Sequence, residues 1–206
     1  LRGAAAIVGV CELKPQRARP NRDIASLLAE ASFGAIRDAG LRKEDIDGML
    51  MEPDFAGQAG GLNAKMAEYM GIQPQFGAGL NVQGASAVTG AVLAAAIVNA
   101  GLATFVLVAC AEARDPNARF GGFPPPDPTL SEWQNPWGPV VAANGHYAMI
   151  AHRYEYLYGA DVTKRAKIAV DQRINACANP NAVFYDTPMT TEDVVNSRLV
   201  ADPLHL

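Results

Sequence analysis

The chain has 206 residues, half of them apolar, 18% charged, with a net charge of −4. That is a globular composition, long enough for one or two domains, and its mild acidity offers no basic face for nucleic acid. No apolar run suits a membrane span: the longest, 85–100, is alanine-rich and carries Ser86, Thr89 and Asn99. Three widely spaced cysteines, Cys11, Cys110 and Cys177, and an N-terminus without a leader pattern point to reduced thiols in a cytoplasm. The three histidines lack metal-ligand spacing, so no metal site is expected.

In chain order, Ala4–Val10 reads as a strand buried on both faces, followed by a basic, Pro-containing loop over 14–20. Asn21 is the expected cap of a helix reaching Ala39, with Ile24, Leu27, Leu28, Ala31 and Ala35 on one stripe and Gly40 as its stop. A short strand is expected at Gly48–Met51, a short helix at Leu62–Met70 ending at Gly71, and a strand at about Gly79–Val82. The small-residue helix Ala85–Ala100, closed by Gly101, is apolar on nearly every face and is expected to be sandwiched inside the protein. A strand at Thr104–Ala109 completes an alternating order that implies a parallel or mixed sheet with helices on both faces.

The composition changes after Glu112. Residues 114–139 hold seven prolines with Trp133 and Trp137, and a connection of that length often covers a site. Helices are expected over Gly145–Tyr158, with Tyr147, Ile150, Ala151, Tyr154 and Leu157 on one face, and over Thr163–Ala178, with Ala166, Ala169, Val170, Ile174 and Cys177 aligned. Thr191–Arg198 reads as a short helix capped by Thr190 or Thr191, with Glu192 and Asp193 in its first turn. Gly77-Ala78-Gly79 lacks the third glycine of a dinucleotide fingerprint.

Four stretches carry a resemblance: Ala6-Ile7-Val8-Gly9-Val10; Asn81-Val82-Gln83-Gly84-Ala85-Ser86 leading into the small-residue helix; Val106-Leu107-Val108-Ala109-Cys110-Ala111-Glu112; and Thr191 to Arg198 with Asp202-Pro203-Leu204. In this order the chain resembles the thiolase superfamily, in particular sterol-carrier-protein-type thiolases and thiolase-like lipid-transfer proteins, over an N-terminal half. The resemblance implies a layered α/β/α fold: a first βαβαβ core half at 1–113, a mainly helical inserted loop domain at 114–200, and the start of a return to the core at 201–206. A second half, which would supply a Gly-His-rich motif and an acid/base cysteine, has no counterpart in these residues.

By resemblance, the family's nucleophilic cysteine falls on Gly84, which cannot be acylated. Gly84 suits a strand-to-helix turn that excludes a Cβ and, with the resemblance, is read as both such a turn and a pocket emptied of its nucleophile. The catalytic residues are therefore left unassigned, and Gly84, Ser86, Trp137 and His146 are the candidate substrate-binding positions. Ser86 also suits the first turn of a helix, His146 a helix start, and Trp133 and Trp137 loop packing. Cys110 suits a small buried residue, Glu112 a structural carboxylate, and Arg17, Arg19 and Arg22 a solvated surface.

The resemblance implies an enzyme acting on acyl-CoA thioesters in lipid metabolism, with the CoA thioester as substrate and no covalently bound cofactor. Lacking the cysteine, the leading expectation is retro-aldol cleavage of a β-hydroxyacyl-CoA, as in steroid or fatty-acid degradation. The alternatives are an acetyl-CoA acyltransferase and a non-catalytic scaffold subunit. A homodimer is expected, together with a small OB-fold/zinc-ribbon partner protein.

Overall fold

The computed structural model describes residues 2–15, 23–52, 61–111, 132, 136, 142–159 and 161–205. The chain divides into two compact units, Leu1–Gly122 and Phe123–Leu206. Asn21, Glu112, Trp133, Trp137 and Arg17, Arg19 and Arg22 lie outside the described residues.

In the first unit, helix α1 spans Ile24–Asp38 and is capped by Asp23, whose carboxylate accepts from the Ser26 N–H at 2.7 Å. That bond satisfies an N–H otherwise left open in the first turn. Gly40, with φ 69°, stops the helix as expected. The buried face is Leu27, Leu28, Ser32 and Ile36, turned away from Ala31 and Ala35. Ala35 instead receives the N-terminal segment. A Cβ on Gly9 would lie 2.4 Å from the Ala35 carbonyl oxygen, and one on Gly34 2.2 Å from Cys11 Sγ. The Val10 N–H donates to Asp38 Oδ2 at 2.9 Å. The doubly buried strand expected at Ala4–Val10 is thus corrected: the segment forms no strand, lies along α1 through glycine contacts, and exposes Ile7 (79%) and Val10 (68%).

Strands β1 (Gly48–Glu52), β2 (Phe76–Gly79) and β3 (Val106–Cys110) form a parallel sheet in the order β2-β1-β3. Helix α2 (Leu62–Met70) has the expected bounds and ends at Gly71, φ 64°. β2 begins earlier than expected, because its register is set by β1, with Gly48 opposite Phe76. The Leu80 N–H still donates to the Met51 carbonyl at 3.0 Å, residues 81–82 leave the ladder, and a 3₁₀ turn, Gln83–Ala85, leads into helix α3, Ser86–Asn99.

Side chains alternate across the sheet. Met49, Met51, Leu107 and Ala109 pack with α1 and α2 through Leu28, Ile36, Leu62 and Met66. Leu50, Val106 and Val108 pack on the opposite side against Ile97, Leu93 and Ala94 of α3. The three layers expected from the element order are present. α3 is not enclosed on all sides within this unit, however: Ser86, Gly90 and Ile97 are buried, while Val88 is 73% exposed.

Asp47 organises the entrance to the sheet. Its carboxylate accepts from the N–H groups of Thr104 (2.8 Å) and Phe105 (2.7 Å), and its carbonyl accepts from Gln75 and Phe76. Burial pushes this carboxyl upward, but the N–H donors outweigh it and hold the group below its ordinary value. A depressed carboxyl contributes stability above its unfolded value, about 4, and loses it as pH falls through the lower folded value. Asp47→Ala is expected to cost about 1–3 kcal/mol at pH 7. In urea unfolding, its gap to the wild type should narrow below pH 4; a gap independent of pH would contradict this role.

The second unit contains helices α4 (Ala142–Tyr158), α5 (Val162–Ala178) and α6 (Thr191–Val195) and an antiparallel hairpin, β4 (Leu199–Ala201) with β5 (Leu204–His205). α4 starts earlier than expected, and its anticipated face is not a buried one: Tyr147, Ile150, Tyr154 and Leu157 are exposed, and Ala148 is buried. On α5, Ala166 is buried and Ile174 exposed. Arg165 of α5 pairs with Glu155 of α4 and donates to the Pro203 carbonyl at 2.9 Å, joining both helices to the hairpin turn. Thr190 and Asp193 form a reciprocal capping box on α6. Among the described residues, no helix is long and apolar enough to cross a membrane.

Candidate functional site

The C-terminal edge of an open parallel sheet is where such folds bind ligands. Here that edge is formed by the ends of β1 and β3 and the turn entering α3. Glu52, Leu80, Ser86, Ala87 and Cys110 line a shallow depression there, walled by Leu50 and Val108.

Ser86 is 2% exposed, and its Oγ accepts from the Val82 N–H at 2.9 Å. The hydroxyl reaches back across the turn rather than forward into the helix, and so braces residues 82–86. This is a local side-chain to backbone bond of the kind that shapes turns. The same residue lines the depression, so its positions as turn brace and as wall coincide.

Gly84 sits at the crest of this braced turn and is exposed. Its φ lies outside the left-handed region, and a Cβ built on it meets nothing within 4 Å. The turn therefore does not demand glycine. Of the two readings of Gly84, the structure removes the steric demand for glycine: a Cβ there meets no neighbour. Gly84 stands two residues before Ser86, at the positive end of the α3 dipole.

Cys110 and Glu52 are register partners across β3 and β1. Cys110, expected as a small buried residue, is instead exposed at the sheet edge; partial desolvation first, then the Glu52 charge, push its thiol above its ordinary value. A thiol so held is a poor nucleophile at neutral pH. Cys11 contacts α1 at Gly34, and Cys177 donates to the Phe184 carbonyl at 3.7 Å; neither lines the depression.

His146 lies on α4 in the second unit and is exposed; Gly84 and Ser86 lie in the first. The proximity of the other histidines is local: His152 Nε2 lies 3.1 Å from Asp202, and His205 Nδ1 lies 2.9 Å from the Ser197 carbonyl. Glu52 was not singled out by sequence. Its pairing with Cys110 depends on sheet register, which no local pattern near either residue carries.

No family model matches the chain. Individual relatives do. The chain is 32% identical to a steroid side-chain-cleaving aldolase of Thermomonospora curvata, over 100% of this chain and 53% of that protein. It is 33% identical to a 17-hydroxy-3-oxo-4-pregnene-20-carboxyl-CoA lyase of Mycobacterium tuberculosis, over 100% of this chain and 54% of that protein. The solved structure of an Ltp2-ChsH2(DUF35) aldolase superposes with a TM-score of 0.81 at 32% identity, covering 99% of this chain and 51% of that one. The fold also matches a monomeric SCP2-thiolase-like protein from Mycobacterium smegmatis, with a TM-score of 0.68 at 19% identity over 96% of this chain and 41% of that one. The chain belongs to the thiolase superfamily. It spans about half the length of the curated relatives it matches. Within this thiolase-like chain, the Thr191–Leu204 stretch that carried part of the resemblance lies in α6 and the β4–β5 hairpin.

Proposed function

We propose that the complete polypeptide carrying this chain is a thiolase-like aldolase that cleaves a β-hydroxyacyl-CoA to a shorter acyl-CoA and a carbonyl product. The observation that carries this reading is Gly84: the nucleophile position of the family holds no side chain, although the turn there has room for one. A thiolase needs an acyl-enzyme; retro-aldol cleavage does not. A base takes the β-hydroxyl proton, the Cα–Cβ bond breaks, and its electron pair becomes a thioester enolate that is then protonated. Donors directed at the enolate oxygen lower the barrier, and the positive end of α3 favours charge developing beside it. The relatives named as an aldolase and a CoA lyase support the same reaction class.

An acyltransferase reading needs another thiol in place of residue 84. Cys110 is the one thiol of the chain that lines the depression, and its surroundings hold it above its ordinary value, which weighs against that reading. Within this proposal, residues 1–113 are the core half, 114–200 the inserted loop domain and 201–206 the return to the core. Gly84, Ser86, Trp137 and His146 contact the CoA thioester. The protein is cytoplasmic and homodimeric, and works with a small OB-fold/zinc-ribbon partner; the Ltp2-ChsH2(DUF35) structure supports a protein partner.

The test is incubation of the complete polypeptide, with any co-encoded partner, with β-hydroxyacyl-CoA substrates and no free CoA. A shorter acyl-CoA and a carbonyl compound are expected in equal amounts. A strict requirement for free CoA would overturn the aldolase reading, and absence of turnover with stable association to an active partner would move the protein to the scaffold class.

A further inference from the structure

On the face of the sheet that packs against α3, β1 presents Leu50 and then Glu52, and β3 presents Val108 and then Cys110, since alternate residues share a face. Leu50 and Val108 belong to the apolar contact with α3. One pleat further along, where the sheet passes the first turn of α3, the same two rows end in a carboxylate and a thiol. These are register partners, and both line the depression together with Leu80, Ser86 and Ala87. An apolar wall thus ends in one strong acceptor at the ligand-binding edge of the sheet.

The chemistry of that pair is asymmetric. An ionised carboxylate accepts hydrogen bonds at about four positions and donates none. Among the described residues the neighbour in register is a single thiol, a weak donor that fills one of them at most. What the remaining capacity suits is a hydroxyl. A ketone offers only lone pairs, and its oxygen is repelled by the carboxylate. We propose, resting on the aldolase reading, that Glu52 is a specificity-determining residue that binds the β-hydroxyl of the acyl group and excludes the corresponding β-ketone. The depression is thereby set for the substrate of an aldol cleavage and against the substrate of a thiolytic one.

The test uses binding, not turnover. Two CoA thioether analogues, one with a hydroxyl and one with a ketone at the β carbon, lack the thioester carbonyl and cannot be cleaved. Calorimetric titration of the complete polypeptide is expected to give at least about tenfold tighter binding of the hydroxyl analogue, as a site built around a hydroxyl discriminates strongly. Glu52→Gln, whose amide can donate to a ketone, should bring the two affinities to within about twofold. Glu52→Leu, which continues the apolar row of Leu50, should do the same by weakening only the hydroxyl analogue. Retention of the wild-type ratio in both variants would overturn the proposal, as would equal binding of the two analogues by the wild type. The cleavage assay separates the two levels. A wild type that prefers the hydroxyl analogue but cleaves nothing refutes the aldolase reading and leaves the role of Glu52 standing; one that cleaves but shows no preference does the reverse.

Discussion

A Gly84→Cys variant should become covalently acylated by an acyl-CoA that leaves the wild type unmodified, with one acyl group added per chain in intact-mass measurement. The backbone at residue 84 is already suitable: its φ is accessible to any L-residue, and the new Cβ enters open space. The turn is held from both sides by the Ser86 Oγ contact to the Val82 N–H, which the substitution does not touch. A thiol placed there faces the N-terminal end of a 14-residue helix, where the dipole favours the thiolate and lowers the cysteine pKa. The contrast with Cys110 is part of the prediction. Partial desolvation and the Glu52 charge hold that thiol above its ordinary value, so Cys110→Ala in the Gly84→Cys background should leave the acylation stoichiometry unchanged. A folded Gly84→Cys protein with an unmodified mass, or one labelled on Cys110, would show that the turn does not present residue 84 to the thioester.

The largest structural effect is expected from a different glycine. Gly9→Ala should destabilise the first unit by about 2–3 kcal/mol, the upper range for inserting a methyl where packing is already complete. The added Cβ would sit 2.4 Å from the Ala35 carbonyl oxygen and 2.8 Å from the Ala39 backbone nitrogen. Both are backbone atoms at the end of α1, so neither can move without unwinding its last turn. Gly34→Ala makes a nominally closer contact, 2.2 Å, but with the side-chain sulphur of Cys11, which can rotate away; its cost should be the smaller. Gly84→Ala is the control, expected within about 0.5 kcal/mol of the wild type. Urea unfolding of the three variants fixes the order. A Gly9→Ala midpoint indistinguishable from that of Gly84→Ala would mean that the N-terminal segment does not dock on α1 as described.

Gly9 and Gly84 mark the boundary of what the sequence makes legible. Local signals served well where one element carries its own information. Gly71 and Gly40 stop their helices, Thr190 with Asp193 caps α6, and the small-residue run becomes α3. The layered architecture followed from the alternation of such elements. Readings failed where a distant partner decides. The apolar run Ala4–Val10 looks like a strand buried on both faces, yet its described contacts are with α1, through Gly9 and Asp38. β2 was displaced toward Leu80 and Val82 because these are the apolar residues of its neighbourhood, whereas pairing with β1 selects Phe76–Gly79, glycines included. The α4 face of Tyr147, Ile150 and Tyr154 has the periodicity of a core stripe and is exposed. At the site, the resemblance located the Gly84 turn, but only coordinates could show that the turn has room for a side chain. Glu52 was invisible because its significance lies in a sheet register shared with Cys110.

The freedom of the turn at residue 84 has a consequence for how such a protein changes over generations. A Cβ at residue 84 meets nothing within 4 Å, so exchanging glycine for cysteine there creates no backbone clash. The two amino acids are separated by a single base change in their codons. A population can therefore exchange one for the other without passing through an unfolded intermediate sequence, and the type of bond chemistry performed at this fold can drift while its stability stays under unchanged selection.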